Sequence, residues 1–345
     1  MTGSLITMPT TYPHDRMFVA AVTPFAADGS IDEPQFRRLL RYFLDTAAHV
    51  DDFGIIVNPE AGEVFYLSPD EQARVVEIAV DEVRGAVPLF TGFLANSTAD
   101  AGAVAVRLAG IGGVNGLFIM PPIGALDVTM AWDPVAYPEV WADMIGAVTR
   151  ALPDTPLICH PVAAPTAGYG VGLPLEPTIE LLQRFPQIVG WKMTYNYEGF
   201  RKVARGIRTL DRHVGILAAT AVNFHENLAN GTFDGTVTGS FNYALEPMLD
   251  HIAAWRSGDH ARALEIWNGG LAQLHEYIYE QWGRLHVRYK TAAWLHGVID
   301  TPYMRPPMPL PRKAEIAHIT NLIAETGMKL IDDASIAAVT DRLPR

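Results

Sequence analysis

The chain has 345 residues, and its 38 acidic against 26 basic side chains leave a formal charge of −12. That balance excludes a surface that tracks phosphates, because nucleic-acid binders need a basic stripe. Hydrophobic residues make up 49% and charged ones 19%, which excludes general disorder and suffices for a large core without staples. Cys159 is the single cysteine, so neither an internal disulfide nor a cysteine metal cluster can form, and a reducing compartment is expected. The opening stretch Met1–Phe18 lacks a basic region followed by an apolar one. No run reaches the ~18 to 20 apolar residues of a membrane span. The expectation is a cytoplasmic protein acting on a small molecule, with no nucleic-acid or membrane partner.

In chain order, short β-prone runs fall at Met17–Val22, Phe53–Val57, Val87–Phe90, Gly116–Met120, Pro156–Cys159, Ile188–Trp191, Val214–Leu217 and Gly235–Thr238. Most are followed by an amphipathic helical stretch: Glu33–Ala48, Pro69–Val83, Thr98–Leu108, Val135–Ala151, Thr178–Phe185 and Glu198–Ile207. Apolar runs alternating with helices imply βαβ units and a parallel sheet buried on both faces. Ser68-Pro69-Asp70-Glu71 reads as a helix start, with a capping hydroxyl, a proline in the first turn and acidic residues on the positive dipole end.

Eight units by about residue 255 predict a closed (β/α)8 TIM barrel over residues 15–258. An open dinucleotide-binding sheet needs G-x-G-x-x-G after an early strand; here the first strand runs into Thr23-Pro24-Phe25. Residues 259–330 read as a C-terminal helical appendage, with Trp267, Leu271, Leu274 and Ile278 on one apolar stripe that packs on the barrel or on a partner subunit. Prolines at 302, 306, 307, 309 and 311 separate its last helices. Residues 331–345 form a tail without an assigned role.

In such a barrel the chemistry sits at the C-terminal strand ends. Lys192 follows Ile188-Val189-Gly190-Trp191 on an interior strand, where burial lowers an amine's pKa and suits it to Schiff-base formation. A structural lysine paired with a carboxylate is the alternative. His160 holds the analogous place one strand earlier and is a candidate acid/base, or a core histidine bonded to a carbonyl. Glu60 and Glu63 flank a small-residue loop. The spacing of His and Glu matches neither H-x-H nor H-E-x-x-H, so no metal is expected.

These pieces together resemble the dihydrodipicolinate synthase / N-acetylneuraminate lyase family of Schiff-base-forming barrels, from about Phe18 to about Met328. The matching segments are Val22-Thr23-Pro24-Phe25 with Asp28-Gly29-Ser30-Ile31-Asp32, Gly62-Glu63 with Leu67-Ser68-Pro69-Asp70-Glu71, and Ile188–Lys192. Phe233–Asn242 and Ser257-Gly258-Asp259 with Ala261-Arg262-Ala263 complete the set. The resemblance implies that Lys192 forms an imine with a pyruvate-type 2-oxo acid. It also implies that the loop Glu60-Ala61-Gly62 holds the acid's carboxylate through backbone N–H groups, and that the backbone of Val237 lines the same pocket. It implies no cofactor, and a homo-oligomer, dimer or tetramer.

The departures are informative. Glu60 and Ala61 stand where the family has two hydroxyl residues. The family's proton-shuttling tyrosine falls on His160, and its second tyrosine near Pro122 or Ile123. Pro165-Thr166 occupies the place of the arginine that binds a distal carboxylate. The loop Val162–Leu173 is longer than usual. A lyase on a substrate other than that of the lysine pathway is therefore expected, with aldol cleavage or condensation ranked above dehydration. His160 would be the acid/base, and Trp191, Met120, Ile123 and Trp132 would give the pocket an apolar character. A catalytically altered family member that binds a 2-oxo acid or has a non-enzymatic role is the other reading.

Overall fold

A computed structural model describes residues 12–122 and 132–343. Eight parallel strands close into a barrel: β1 (Met17–Ala20), β2 (Phe53–Val57), β3 (Leu89–Gly92), β4 (Gly116–Ile119), β5 (Leu157–Cys159), β8 (Ile188–Met193), β9 (Gly215–Ala218) and β10 (Gly235–Thr238). β1 pairs with both β2 and β10, so no sheet edge is left open. The strands are buried on both faces, which is why they read as continuous apolar runs rather than as alternating ones. Their interior is packed solid at the base. Phe18 and Phe90 meet edge to face at 5.2 Å between ring centroids. Gly54 makes room for Phe18, since a Cβ there would lie 2.4 Å from the ring.

The predicted helix start at Ser68 is a full capping box. The Ser68 hydroxyl accepts from the Glu71 amide, and the Ser68 amide donates to the Glu71 carboxylate at 2.9 Å. The long loop after β5 differs from expectation by forming an antiparallel hairpin, β6 (Val162–Thr166) and β7 (Gly170–Gly172), outside the barrel. Gly172 lies flat against the Tyr195 ring, which pins the hairpin beside the barrel mouth.

Beyond the barrel helix Phe241–Arg256, the appendage contains helices His260–Ile266, Ala272–Tyr279, Leu285–Leu295, Lys313–Glu325 and Asp333–Thr340. The stripe Trp267, Leu271, Leu274 and Ile278 is buried within this chain. The apolar face cited for an oligomer is thus covered by the chain's own helices, and that argument for a partner subunit falls away. The backbone widens at Trp267–Leu271, where Gly270 takes φ 104. This turns Ala272–Tyr279 towards the C-terminal ends of the strands. The tail folds back: the Ile331 amide donates to the Leu295 carbonyl at 2.9 Å, and Leu343 is buried. Pro344 and Arg345 lie outside the described residues. None of the described helices is long and apolar enough to cross a membrane.

Candidate active site

Side chains alternate along a strand, so the neighbours of an inward residue point away from the barrel axis. On β8, Trp191 turns outward to pack on Trp141 of helix Glu139–Ala151 at 5.8 Å, and its Nε1 donates to the Tyr195 hydroxyl at 3.0 Å. Lys192 turns inward and lines a narrow cavity of about 20 Å3. Its Nζ lies 5.5 Å from the centroid of the Phe118 ring. Burial pulls the Lys192 pKa down to about 8, against an opposing push from the Glu60 carboxylate. At pH 7 about a tenth of the amine is therefore uncharged, against well under a thousandth for an ordinary lysine.

The loop after β2 begins with Asn58 at φ 51 and ends with Glu63 at φ 58, a left-handed conformation uncommon for side chains other than glycine. Between them Glu60–Gly62 form a single tight turn. Glu60 and Ala61 line the cavity beside Lys192, and Val237 lines it from β10. Gly62 does not line it, and its amide is already donated to the Pro59 carbonyl at 3.0 Å. The tight turn thus uses the Gly62 amide internally, and of the loop residues Glu60 and Ala61 are the ones at the cavity.

His160 is fully buried and is absent from the cavity lining. Its ring stacks on Phe118 at 5.6 Å, and Nδ1 lies 3.4 Å from Oε2 of Glu60. Neither ring nitrogen has a hydrogen-bond partner among the described residues. Burial, then the nearby Lys192 charge, drives its pKa well below the usual histidine range, so the ring is neutral. Burial raises the Glu60 pKa, partly offset by Lys192. Glu60 therefore faces the cavity, with His160 behind it.

Half of the remaining lining comes from the appendage: Tyr279, Trp282, Leu285, His286 and Tyr289. Gly239, at the end of β10, is required for this arrangement, because a Cβ there would sit 2.2 Å from the Tyr289 ring. Burial takes the His286 pKa down to about 3, with Lys192 and Lys290 adding to the effect. An outer vestibule of about 450 Å3, bounded by Val171, Val222, Glu276 and Glu280, shares Thr194, Thr220, Tyr279 and Trp282 with the inner cavity. Trp191, Met120 and Trp132 were expected to supply the apolar character; none lines the cavity, and Ile123 lies outside the described residues. The appendage residues were missed because nothing local marks them: their approach to Lys192 is a product of the fold.

Glu63 has a separate task. It is buried in an ion pair with Lys290, whose Nζ also donates to the Tyr303 carbonyl at 3.1 Å. A His/carboxylate group of the kind that can hold a metal, Asp15 with His213 and Asp234, lies at the opposite end of the barrel. There the Arg208 guanidinium already neutralises Asp234.

The fold and site define a closed (β/α)8 barrel protein with an interior lysine at a strand's C-terminal end. The chain matches the Dihydrodipicolinate synthetase family over residues 13–325 and belongs to it. It is 27% identical to a DapA-like lyase of Thermofilum pendens over 311 residues, 90% of this chain and 96% of the relative. It is 28% identical to the 4-hydroxy-tetrahydrodipicolinate synthase of Methanopyrus kandleri, covering 84% and 88%. Among solved structures, dihydrodipicolinate synthase from Aquifex aeolicus superposes with a TM-score of 0.76 at 19% identity, covering 92% of this chain and 99% of that one. A sialic acid aldolase catalytic lysine mutant from Ruminococcus gnavus gives 0.74 at 17%, covering 92% and 98%. A prophage protein of the same family from E. coli K12, in complex with pyruvate, gives 0.75 at 19%, covering 91% and 99%.

Proposed function

We propose that the protein is a lyase whose Lys192 amine condenses with a pyruvate-type 2-oxo acid, and that it cleaves or forms a carbon–carbon bond by aldol chemistry. The observation that carries this reading is the Lys192 amine, turned into the cavity and held at about 8 by burial. Loss of water from the carbinolamine gives an iminium ion, an electron sink for the bond that breaks. Glu60 takes the proton from the substrate hydroxyl, and His160, 3.4 Å behind it, is the positioning and relay group. This keeps a proton-transfer role for His160 but routes it through the carboxylate.

Burial raises the Glu60 pKa, which suits its carboxylate to accepting that proton. Ala61 and Val237 form the adjoining wall, and Gly62 holds the turn. Apart from Lys192, the described lining of both chambers carries no lysine or arginine. This favours an aldehyde partner without a second carboxylate, against the lysine-pathway substrate. Incubation with pyruvate and borohydride should give a mass increase that is lost in Lys192→Ala. No adduct with pyruvate or larger 2-oxo acids would leave the altered, non-catalytic reading, which the glutamate at position 60 supports.

A further inference from the structure

The outer vestibule is walled by many polar side chains, but most of their polar atoms are spent on the protein itself. The Asn196 amide donates to the Ala167 carbonyl at 3.0 Å, and its oxygen accepts from the Gly199 amide at 2.8 Å. The Tyr195 hydroxyl accepts from the Trp191 indole at 3.0 Å, and the Tyr279 hydroxyl donates to the Ala219 carbonyl at 3.1 Å. Glu280 lies 3.4 Å from the Arg288 guanidinium. Polar atoms are left at the neck shared with the Lys192 cavity, where Thr194 and Thr220 stand. Thr194 is 4% exposed, and its Oγ1 has no hydrogen-bond partner among the described residues. A buried hydroxyl is ordinarily bonded, so this one is free for a ligand. Beyond the neck the chamber presents Val171, Val222 and the rings of Tyr195, Tyr279 and Trp282. Trp282 keeps 46% of its surface exposed.

We propose that this vestibule takes an aromatic aldehyde as the partner of the 2-oxo acid, so that C4 of the aldol carries an aryl group. The proposal rests on the lyase reading and names its second substrate. A polyhydroxy aldehyde needs a wall partner for each hydroxyl, and the wall has already spent most of them. An aldehyde with a carboxylate would place that anion near Glu276 and Glu280, with no lysine or arginine in the described lining beyond Lys192. An aryl ring needs neither kind of partner. It gains contact with the open Trp282 face and with the two tyrosine rings. The vestibule volume of about 450 Å3 lies in the range of small-molecule sites. The aldehyde oxygen is the one polar atom to be met, and it lies at the neck, where the threonine hydroxyls are.

In the condensing direction the enamine C=C pair forms the bond from C3 to the aldehyde carbon. The nitrogen lone pair restores C=N, and the C=O π pair moves to the aldehyde oxygen. That oxygen takes its proton from Glu60, which makes good the proton lost from C3 when the enamine formed. Addition of one water to the iminium releases the 4-aryl-4-hydroxy-2-oxo acid and the Lys192 amine. Cleavage reverses every step.

The test has two readouts. Borohydride trapping with pyruvate reads the imine. Condensation of pyruvate with a set of aldehydes, the hydroxy-oxo acid being measured by mass spectrometry, reads the second substrate. The kcat/KM for benzaldehyde should exceed those for glyceraldehyde and succinic semialdehyde by about tenfold or more. Trp282→Ala should lower the preference for benzaldehyde over acetaldehyde by about tenfold, because the ring loses its broadest contact. Glu276 is exposed, and Glu276→Lys should raise the use of succinic semialdehyde relative to benzaldehyde by about fivefold, a gain that a misfolded variant cannot give. If pyruvate is trapped but glyceraldehyde or succinic semialdehyde is used as well as benzaldehyde, the aryl proposal is overturned and the lyase reading stands. An unchanged benzaldehyde preference in Trp282→Ala also overturns it. Absence of trapping in the wild-type protein overturns the lyase reading and this proposal with it.

Discussion

Two lysines are buried at the same end of this barrel, and one loop faces both. Glu60 and Glu63 stand three residues apart: the first looks towards Lys192 in the cavity, the second is locked to Lys290. Lys290 and Glu63 are 0% and 1% exposed, and the ammonium has a carboxylate, the Tyr303 carbonyl and the Phe25 ring at 4.2 Å around it. Lys192 has the Phe118 face and a carboxylate that burial itself tends to protonate. Desolvation is the leading influence on both amines. What differs is compensation. A buried charge with a full set of partners is structure; one left short of partners, beside a cavity, is reactivity.

The largest expected effect is on chemistry. Lys192→Ala should abolish borohydride trapping of pyruvate, whereas Lys290→Met, where it folds, should still trap at Lys192. Trapping by Lys290 instead would break the comparison.

Next comes stability. Lys290→Met strands Glu63 as a buried charge and should cost about 3 to 5 kcal/mol in urea unfolding. The pair replacement Glu63→Gln with Lys290→Met should recover most of that loss. If the single and double variants unfold alike, the pair is not what holds this region.

At Lys192 the sign is opposite. Its folded pKa of about 8 lies below the ordinary lysine value of 10.5, so the charged form is penalised in the folded state. That penalty is fully present below about pH 8 and vanishes as the pH rises through 10.5. Lys192→Met should therefore stabilise the protein by about 2 kcal/mol at pH 7, with the gain fading towards pH 10.5. Equilibrium unfolding at both pH values checks it; destabilisation at pH 7 would mean that Lys192 is structural after all.

The smallest effect sharpens the picture. The rate of imine trapping should rise with pH to a plateau above about 8, as Lys192 loses its proton. Glu60 opposes that loss, so Glu60→Gln should move the midpoint down by roughly one unit. An upward move would show that Glu60 does not face the amine.

Much of the frame was legible in the chain. Phe53–Val57, Gly235–Thr238 and the helix Pro69–Val83 match their expected ranges, because apolar runs, caps and prolines act within a few residues. Lys192 was legible for the same reason: a lone amine inside an apolar strand is a local anomaly. Strand ends such as Val87 were less so, since pairing with β2 and β4 decides where β3 begins. The role of His160 was half legible. Its place at the end of β5 could be read, but its retreat behind Glu60 follows from the loop's left-handed turns and the Phe118 ring.

The sequence by itself determined the alternation of strands and helices, the family, the interior lysine and the missing hydroxyls. Each of these is a matter of which residues occur, in what local order. The tertiary structure alone decided that the appendage roofs the site. Tyr279, Trp282, His286 and Tyr289 lie some 90 residues beyond Lys192 in the chain, and no periodicity couples such distant segments. They reach the cavity because the Trp267–Leu271 widening redirects the following helix and because Gly239 leaves room for the Tyr289 ring. Burying that aromatic face closes the barrel mouth and dries the amine beneath it.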